Sequence, residues 1–414
     1  MQFTSLAQQG WFEQESGTDS HLNSVFFLDS LNGWVAGDST ILKTTNGGTD
    51  WVIIPSGFNY NYNDVFFISD SVGWVAGGND FFSGGIILKT TDGGTNWYEQ
   101  ISNFPYSITS LDFFSENIGW ALGDGVILKT IDGGIIWSII LESFLLKSHS
   151  FIDTVYGWAA GNVLSFCWVI NTIDGGNNWT TQYTSPFYWF NSVNFIDEHN
   201  GWIVGSGNLP YDPGILLKTT NGGDVWTVDS IEHSQNLNSV FFINKMSGYI
   251  AGSRGELFEA AAAIFFSSDG GTSWSVQYED STSVNELNSI YIVDENIGWA
   301  TGNNGMILKT TNGGVTFVEE EEFDEIATNY TLSQNYPNPF NPSTTIKYSV
   351  PQSSNVSIKV FDILGSEIET LVNEEKAIGT YEISWYAEQL PSGIYFYRIR
   401  AGSFVETKKM VLMK

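Results

Sequence analysis

Cysteine is nearly missing from this chain. Cys167 is the only one in 414 residues, so no intrachain disulfide can form, and a buried small hydrophobe is its expected role rather than a nucleophile. No stretch approaches the ~18 apolar residues of a membrane span. Positive charge is scarce too: 16 Lys and Arg stand against 46 Asp and Glu. The imbalance is local. Up to residue 329 there are 38 acidic and 8 basic side chains, −30, whereas from residue 330 onward there are 8 of each. A surface that negative repels phosphate backbones and anionic headgroups, so no nucleic acid partner and no membrane insertion are expected. The four histidines, His21, His149, His199 and His233, lack metal-ligand spacing, and no nucleotide or nucleophile motif sits in a supporting context. No metal, no cofactor and no catalytic residue is therefore assigned. Asp197-Glu198, Glu279-Asp280 and Asp294-Glu295 are the paired carboxylates, and all read as solvated turns. Residues 1–10 lack the charged and apolar regions of a signal peptide, yet Leu6-Ala7-Gln8-Gln9 reads as the residual end of an export signal.

Aromatics and glycine are abundant: 15% Phe, Trp and Tyr, and 43 Gly. They recur in a unit of the form NSVFF…GWVAG…ILKTTDGGTxW. Its Asn/Asp-Gly-Gly turn falls at Asn46, Asp92, Asp132, Asp174, Asn221, Asp269 and Asn312, in steps of 46, 40, 42, 47, 48 and 43 residues. Four short strands at that period are the signature of a propeller blade. The chain is thus expected to be all-β, a seven-bladed β-propeller over residues 11–318. Two connections keep constant length and read as tight turns. The third, from the last Gly of GWVAG to the turn, runs 9, 15, 9, 13, 16, 17 and 10 residues. In an up-and-down blade it lies on the face opposite the constant turns, so one face is plain and the other elaborated. Trp11 to Gln14 and Thr316 to Glu320 both match the outer strand and compete for the last blade.

Thr44-Thr45-Asn46-Gly47-Gly48-Thr49-Asp50-Trp51 and its six counterparts resemble Asp-box (BNR) repeats. With GWVAG and ILKTTDGG beside them, they are most similar to propellers of the photosystem II assembly-factor type. In such families the box is a structural turn, so it identifies a fold and leaves function open. A second resemblance covers residues 330–414, a domain set off by an acidic linker at 319–329. Asn335, Tyr336, Pro337, Asn338, Pro339, Phe340, Asn341 and Pro342, then Gly393, then Lys408 and Lys409 follow type A sorting domains of the type IX (Por) secretion system. That resemblance implies a small Ig-like β-sandwich, recognition by the type IX machinery, and a secreted or outer cell-surface location in a bacterium of the Bacteroidetes kind.

Asp-box sialidases clamp a substrate carboxylate with three arginines. Up to residue 329 only Arg254 is present, which excludes that activity. Of the 16 Trp, Trp385 belongs to the sorting segment, and of the rest only Trp168 and Trp189 have no place in the repeat frame. With Tyr188, Tyr211 of the fifth repeat's insertion and Arg254 of the sixth, they form the candidate ligand-binding set on the elaborated face, suited to sugar rings or a protein anchor. The competing assignment has these aromatics cover the ends of their own blades. The function expected is a non-catalytic binding or scaffold propeller for an extracellular protein or glycan; an Asp-box glycoside hydrolase is the alternative.

Overall fold

The computed structural model describes residues 10–79, 84–163, 166–209, 212–255, 261–280, 285–315, 329–387 and 389–414. The tail at residues 1–9, Tyr211, the outer-strand candidate Thr316–Glu320 and the acidic linker up to residue 328 fall outside them. The chain separates into two compact units, residues 9–317 and a second built on residues 318–414.

In the first unit each repeat forms antiparallel strands in chain order. Repeat 1 gives Leu22–Phe27, Gly33–Gly37, Thr40–Thr44 and Val52–Ile53 in one sheet. The sheets starting at Asn61–Phe67, Tyr188–Phe195 and Ser234–Phe242 repeat that order. Repeats 3 and 4 share a sheet of six strands, because Ser138–Phe151 runs through both. Its first part pairs with Gly119–Thr130, and its last part, Leu146 to Phe151, pairs with Gly157–Val163. In repeat 7 the outer position belongs to Phe12–Gln14, with Phe12 opposite Lys309 and Gln14 opposite Ile307. The start of the chain thus supplies the missing strand.

Aromatic stacking explains the Gly-Trp pair. Trp34 lies on Phe67 of the next repeat at 3.7 Å, Trp74 on Phe113 at 3.6 Å, Trp202 on Phe242 at 3.6 Å, and Trp299 on Phe27 at 3.4 Å. Each of those Phe rings meets the box Trp of its own repeat edge-on, as Phe27 meets Trp51 at 5.8 Å. The glycine before the stacking Trp has no alternative: a Cβ at Gly33 or Gly201 would enter the ring of Phe27 or Phe195. Because Trp299 of repeat 7 stacks on Phe27 of repeat 1, and the Val25 N–H donates to Ser289 Oγ at 3.3 Å, the repeats close on themselves. The result is a β-propeller whose ring of repeats is closed.

The Asp-box turns hold the same interfaces from below. In repeat 1 Gly47 and Gly48 adopt φ of 70° and 86°, conformations only glycine enters without strain. Thr44 Oγ1 accepts from the Gly48 N–H at 2.8 Å, and Asn46 Oδ1 accepts from the Asp50 N–H at 3.0 Å. The carbonyl of the first glycine then takes donors from the preceding repeat. Gly93 O accepts from Trp34 Nε1 and Lys43 Nζ, and Gly47 O from Trp299 Nε1 and Lys309 Nζ. The constant spacing read in the sequence is the spacing these inter-repeat bonds require.

The second unit has two sheets. Thr331–Leu332, Ser343–Val350 and Gly379–Tyr386 form one. Glu367–Lys376, Ser354–Phe361, Gly393–Ala401 and Phe404–Leu412 form the other, in that spatial order. Both face one core that includes Phe340, Ile346, Ile358, Trp385, Tyr397 and Met410.

Candidate functional site

The insertion-bearing connections all leave from one end of the strands, and Trp189 sits there. It lies on the inner strand Tyr188–Phe195 of repeat 5, opposite Ser206. The strands approach so closely that a Cβ at Gly205 would strike the Trp189 carbonyl. The indole is 40% exposed and held in place, because its Nε1–H donates to Asn208 Oδ1 at 2.9 Å. Asn208 is itself tied down, its N–H donating to Phe187 O at 3.0 Å. Asp212 fixes the same insertion by accepting from the Leu209 N–H at 3.0 Å. Together Trp189, Asn208, Leu209, Asp212, Gln235 and Asn236 line a cavity of about 410 Å³. An aromatic face beside amide and carboxylate groups suits a sugar ring or a peptide.

The other residues singled out in the sequence behave differently. Tyr188 is half-buried and contributes to the core between repeats 4 and 5. Trp168 is also half-buried, on Phe166–Thr172 between Gly161 and Thr184. Its neighbour Cys167 is buried and donates to Ser185 O at 3.2 Å, and burial pushes its thiol up to about 11, as expected of an inert structural cysteine. Arg254 ends the strand Gly248–Arg254 and forms an ion pair with Glu279. The next strand in the chain, Ala261–Ser267, opens with buried alanines. Two of the three paired carboxylates belong to turns: Asp197 Oδ1 accepts from the His199 and Asn200 N–H, and Asp294 Oδ1 from the Asn296 and Ile297 N–H. Glu279-Asp280 does not: the pair ends the strand Ser275–Asp280, opposite Ala263 and Ala262, and Glu279 is taken up by Arg254.

A second polar cavity, about 440 Å³, opens on the same side at the inner strands and escaped the sequence reading. Asn23, Asn63, Thr109, Asp124, Lys147 and Asn288 are among its walls. Five repeats carry Asn before the serine (Asp64 in repeat 2) of the inner strand, and each amide donates to the next repeat's backbone. Asn23 reaches Tyr62 O at 2.9 Å, Asn63 reaches Ile108 O, Asn191 Leu237 O, Asn238 Leu287 O, and Asn288 Leu22 O. Repeats 3 and 4 break this belt with Thr109 and Lys147. Lys147 is exposed and has no ion-pair partner among the described residues. The signal was present: a lysine where the frame has asparagine.

Below the belt a ring of serines performs a similar task. The Val193, Val240 and Ile290 N–H groups donate to Ser148, Ser192 and Ser239 of the preceding repeat. In repeat 2 the position is Asp64, whose Oδ2 accepts from the Leu111 N–H at 2.7 Å and whose Oδ1 accepts from Ser24 Oγ at 2.6 Å. Burial raises Asp64 to about 6 and Asp112, which accepts from the Phe151 N–H, to about 7. Among the described residues no cluster of His, Cys, Asp or Glu could hold a metal ion.

The first unit is an Asp-box β-propeller and the second a secretion sorting domain. Residues 138–286 match the family "Photosynthesis system II assembly factor YCF48", and residues 334–413 match the "Secretion system C-terminal sorting domain". Among solved structures, YCF48 bound to D1 peptide is 18% identical, covering 74% of this chain and 96% of its own, with a TM-score of 0.59. YCF48 from Cyanidioschyzon merolae is 19% identical, covering 73% and 98%, with a TM-score of 0.57. The extracellular domain of the one component system BT4673 from B. thetaiotaomicron is 10% identical, covering 99% and 60%, with a TM-score of 0.51. No curated protein matches the chain. The sorting domain marks the protein for secretion and the cell surface through the type IX machinery. Among the described residues no helix is long and apolar enough to cross a membrane.

In the sorting domain the matched motif is largely structural. Asn335 is buried, with its N–H donating to Tyr397 Oη at 2.8 Å and its amide to Thr344 Oγ1 at 2.9 Å. Asn338 Oδ1 accepts from the Val411 N–H, and the Phe340 N–H donates to Val411 O. The motif therefore clasps the last strand, which carries Lys408 and Lys409.

Proposed function

We propose that this protein is a secreted or surface-displayed, non-catalytic binding propeller that takes an extracellular protein or glycan on its insertion-bearing face. The observation that carries the reading is Trp189: an exposed indole, fixed by Asn208, at the wall of a cavity with Asp212, Gln235 and Asn236. Large aromatics without a binding role are normally buried, as the stacking Trp residues of the frame are. In this reading the propeller has seven blades, with Ser138–Phe151 serving as outer strand of the third and inner strand of the fourth. Its domains run from 11 to 318 for the propeller, 319 to 329 for the linker and 330 to 414 for an Ig-like sandwich. Trp168, Tyr188 and Tyr211, the last outside the described residues, remain candidates of the same set. Arg254, neutralised by Glu279, orders the adjoining edge rather than meeting the ligand directly. The test is a glycan array and a cell-surface protein screen with the full chain and its Trp189→Ala variant. Loss of about tenfold or more in affinity in the variant supports the reading. Release of reducing ends from a polysaccharide panel would overturn it in favour of a glycoside hydrolase.

A further inference from the structure

The plain face offers an internal control, because the same turn is built seven times. Three positions of the Asp box face solvent in repeats 1 to 6: the one before the Asn/Asp and the two after the glycines. They read Thr45, Thr49, Asp50 in repeat 1, Thr91, Thr95, Asn96 in repeat 2, and Ser268, Thr272, Ser273 in repeat 6. Repeat 3 has Ile131, Ile135 and Ile136, which are 73%, 78% and 64% exposed.

The polar residues have work within the turn that isoleucine cannot do. Asn96 Nδ2 donates to Asp92 Oδ2 at 2.7 Å, Asn178 Nδ2 to Asp174 Oδ2 at 2.7 Å, and Ser273 Oγ to Asp269 Oδ2 at 2.6 Å. Thr49, Thr95 and Thr272 each donate to the carbonyl of their own box Asn or Asp. Repeat 3 keeps the backbone bond from the Ile136 N–H to Asp132 Oδ1 at 2.9 Å and forgoes the side-chain bonds. It thus gives up two hydrogen bonds and exposes three large aliphatic groups, with no compensating burial in the chain itself.

Neighbouring turns extend the surface. The Gly133 N–H donates to Asn117 O, seating this box on the turn that carries exposed Phe114. Lys129 Nζ reaches Gly175 O at 2.7 Å, joining the strand before Ile131 to the next box and its exposed Ile173. The Gly175 N–H donates to the carbonyl of exposed Val155. Glu116, Asp132, Asp153 and Asp174 stand among these residues. Asp132 and Asp174 are held below the usual carboxylate range, Asp132 chiefly by the Ile136 backbone N–H and Asp174 chiefly by the Asn178 side chain, so both stay charged.

We infer that this apolar patch with its acidic surround, on the face opposite Trp189, is a docking surface for a protein segment that presents an aliphatic or aromatic anchor flanked by Lys or Arg. Charge selects the occupant. A second copy of this chain would set acids against acids, and anionic lipid would meet the same repulsion.

The experiment uses the full chain and the variant Ile131→Thr/Ile135→Thr/Ile136→Asn, which reproduces the wording of residues 91–96. The probes are short synthetic peptides placing Leu, Ile or Phe between Lys or Arg, with Glu-flanked peptides of the same core as controls. Basic-flanked peptides should bind, more weakly at high salt, and the variant should lose about tenfold or more. It should also melt at an equal or higher temperature, since it regains the turn's hydrogen bonds, and Trp189→Ala should bind as wild type does. The inference fails if no peptide binds, if Glu-flanked peptides bind equally, or if the variant retains affinity. A lower melting temperature in the variant would reassign the isoleucines to folding. Self-association, or binding to phosphatidylglycerol vesicles, that the variant abolishes would replace the protein segment with a different occupant and overturn it.

Discussion

His149 stands where the other repeats place Val25, Val65, Leu111, Val193, Val240 and Ile290. Its ring is buried, and neither nitrogen has a hydrogen-bond partner among the described residues. Burial drives its pKa down to about 3, so the folded protein holds it neutral. An unfolded chain takes up that proton below about pH 6.5, and stability is lost as pH falls through that window. His149→Leu should therefore stabilise by about 1–3 kcal/mol at pH 7, and by more at pH 5. Denaturant melts at both values test this; a gain that shrinks on acidification would refute it. Asp112 works in the opposite sense. Its folded value of about 7 lies above the ordinary 3.8, so from about pH 4 to 7 the folded state keeps a proton the unfolded chain has lost. Stability from this group is full at low pH and declines as pH rises. Asp112→Asn keeps an acceptor for the Phe151 N–H and removes the buried charge. The expected gain is ~1–2 kcal/mol at pH 8 and close to none at pH 4. Equal gains at both would mean that the carboxylate is solvated.

At the scale of elements, six of the inter-repeat interfaces share one device, a Trp stacked on the Phe of the next repeat. The seventh differs. Tyr249 replaces the Trp and Ile292 the Phe, and Trp11 fills the space, packing edge-on to Tyr249 at 6.3 Å and donating to Gln277 Oε1. This interface depends on a strand of three residues from the chain's start. Trp11→Ala should cost about 3–5 kcal/mol, measurable as a lowered denaturation midpoint of the propeller; an unchanged midpoint would show that another segment closes the ring. The repeat frame was legible because strands, turns and aromatics recur at fixed offsets, which one local rule explains seven times. The continuous strand Ser138–Phe151 was not separated out, although it has no Gly, Pro, Asn or Asp to mark a turn. In the sorting domain, Glu367–Lys376 is not legible in the sequence, because charge on both sides of an edge strand hides the period-two pattern. Trp189 emerged by subtracting the frame, but its partner Asn208 could not, since that contact is made by an insertion whose path the frame does not dictate. The asparagine belt and Lys147 were overlooked for the converse reason: asparagine looked like frame.

On the scale of the molecule, charge separates the two units as firmly as the chain contacts do. The propeller and its approach carry all of the excess, 38 acids against 8 bases, and the sorting domain is balanced. Much of the scarce positive charge is committed to the frame. Lys43, Lys89, Lys129 and Lys309 sit over tryptophan rings and donate to box carbonyls, and Arg254 is paired with Glu279. The carboxylates left over repel one another across a closed ring that cannot expand without breaking its stacks. Salt should relieve that repulsion, which at low ionic strength reaches across tens of ångströms and at 0.15 M falls off within about 8 Å. In calorimetry of the full chain, the propeller transition should therefore move upward by several degrees between low salt and physiological salt. The sorting-domain transition, with no net charge to screen, should hardly move. Sodium chloride and sodium sulfate matched in ionic strength would separate screening from surface exclusion, since only the latter favours sulfate. Parallel shifts of both transitions would mean that charge does not limit the propeller's stability, and that its acidity serves only the surfaces at which it meets partners.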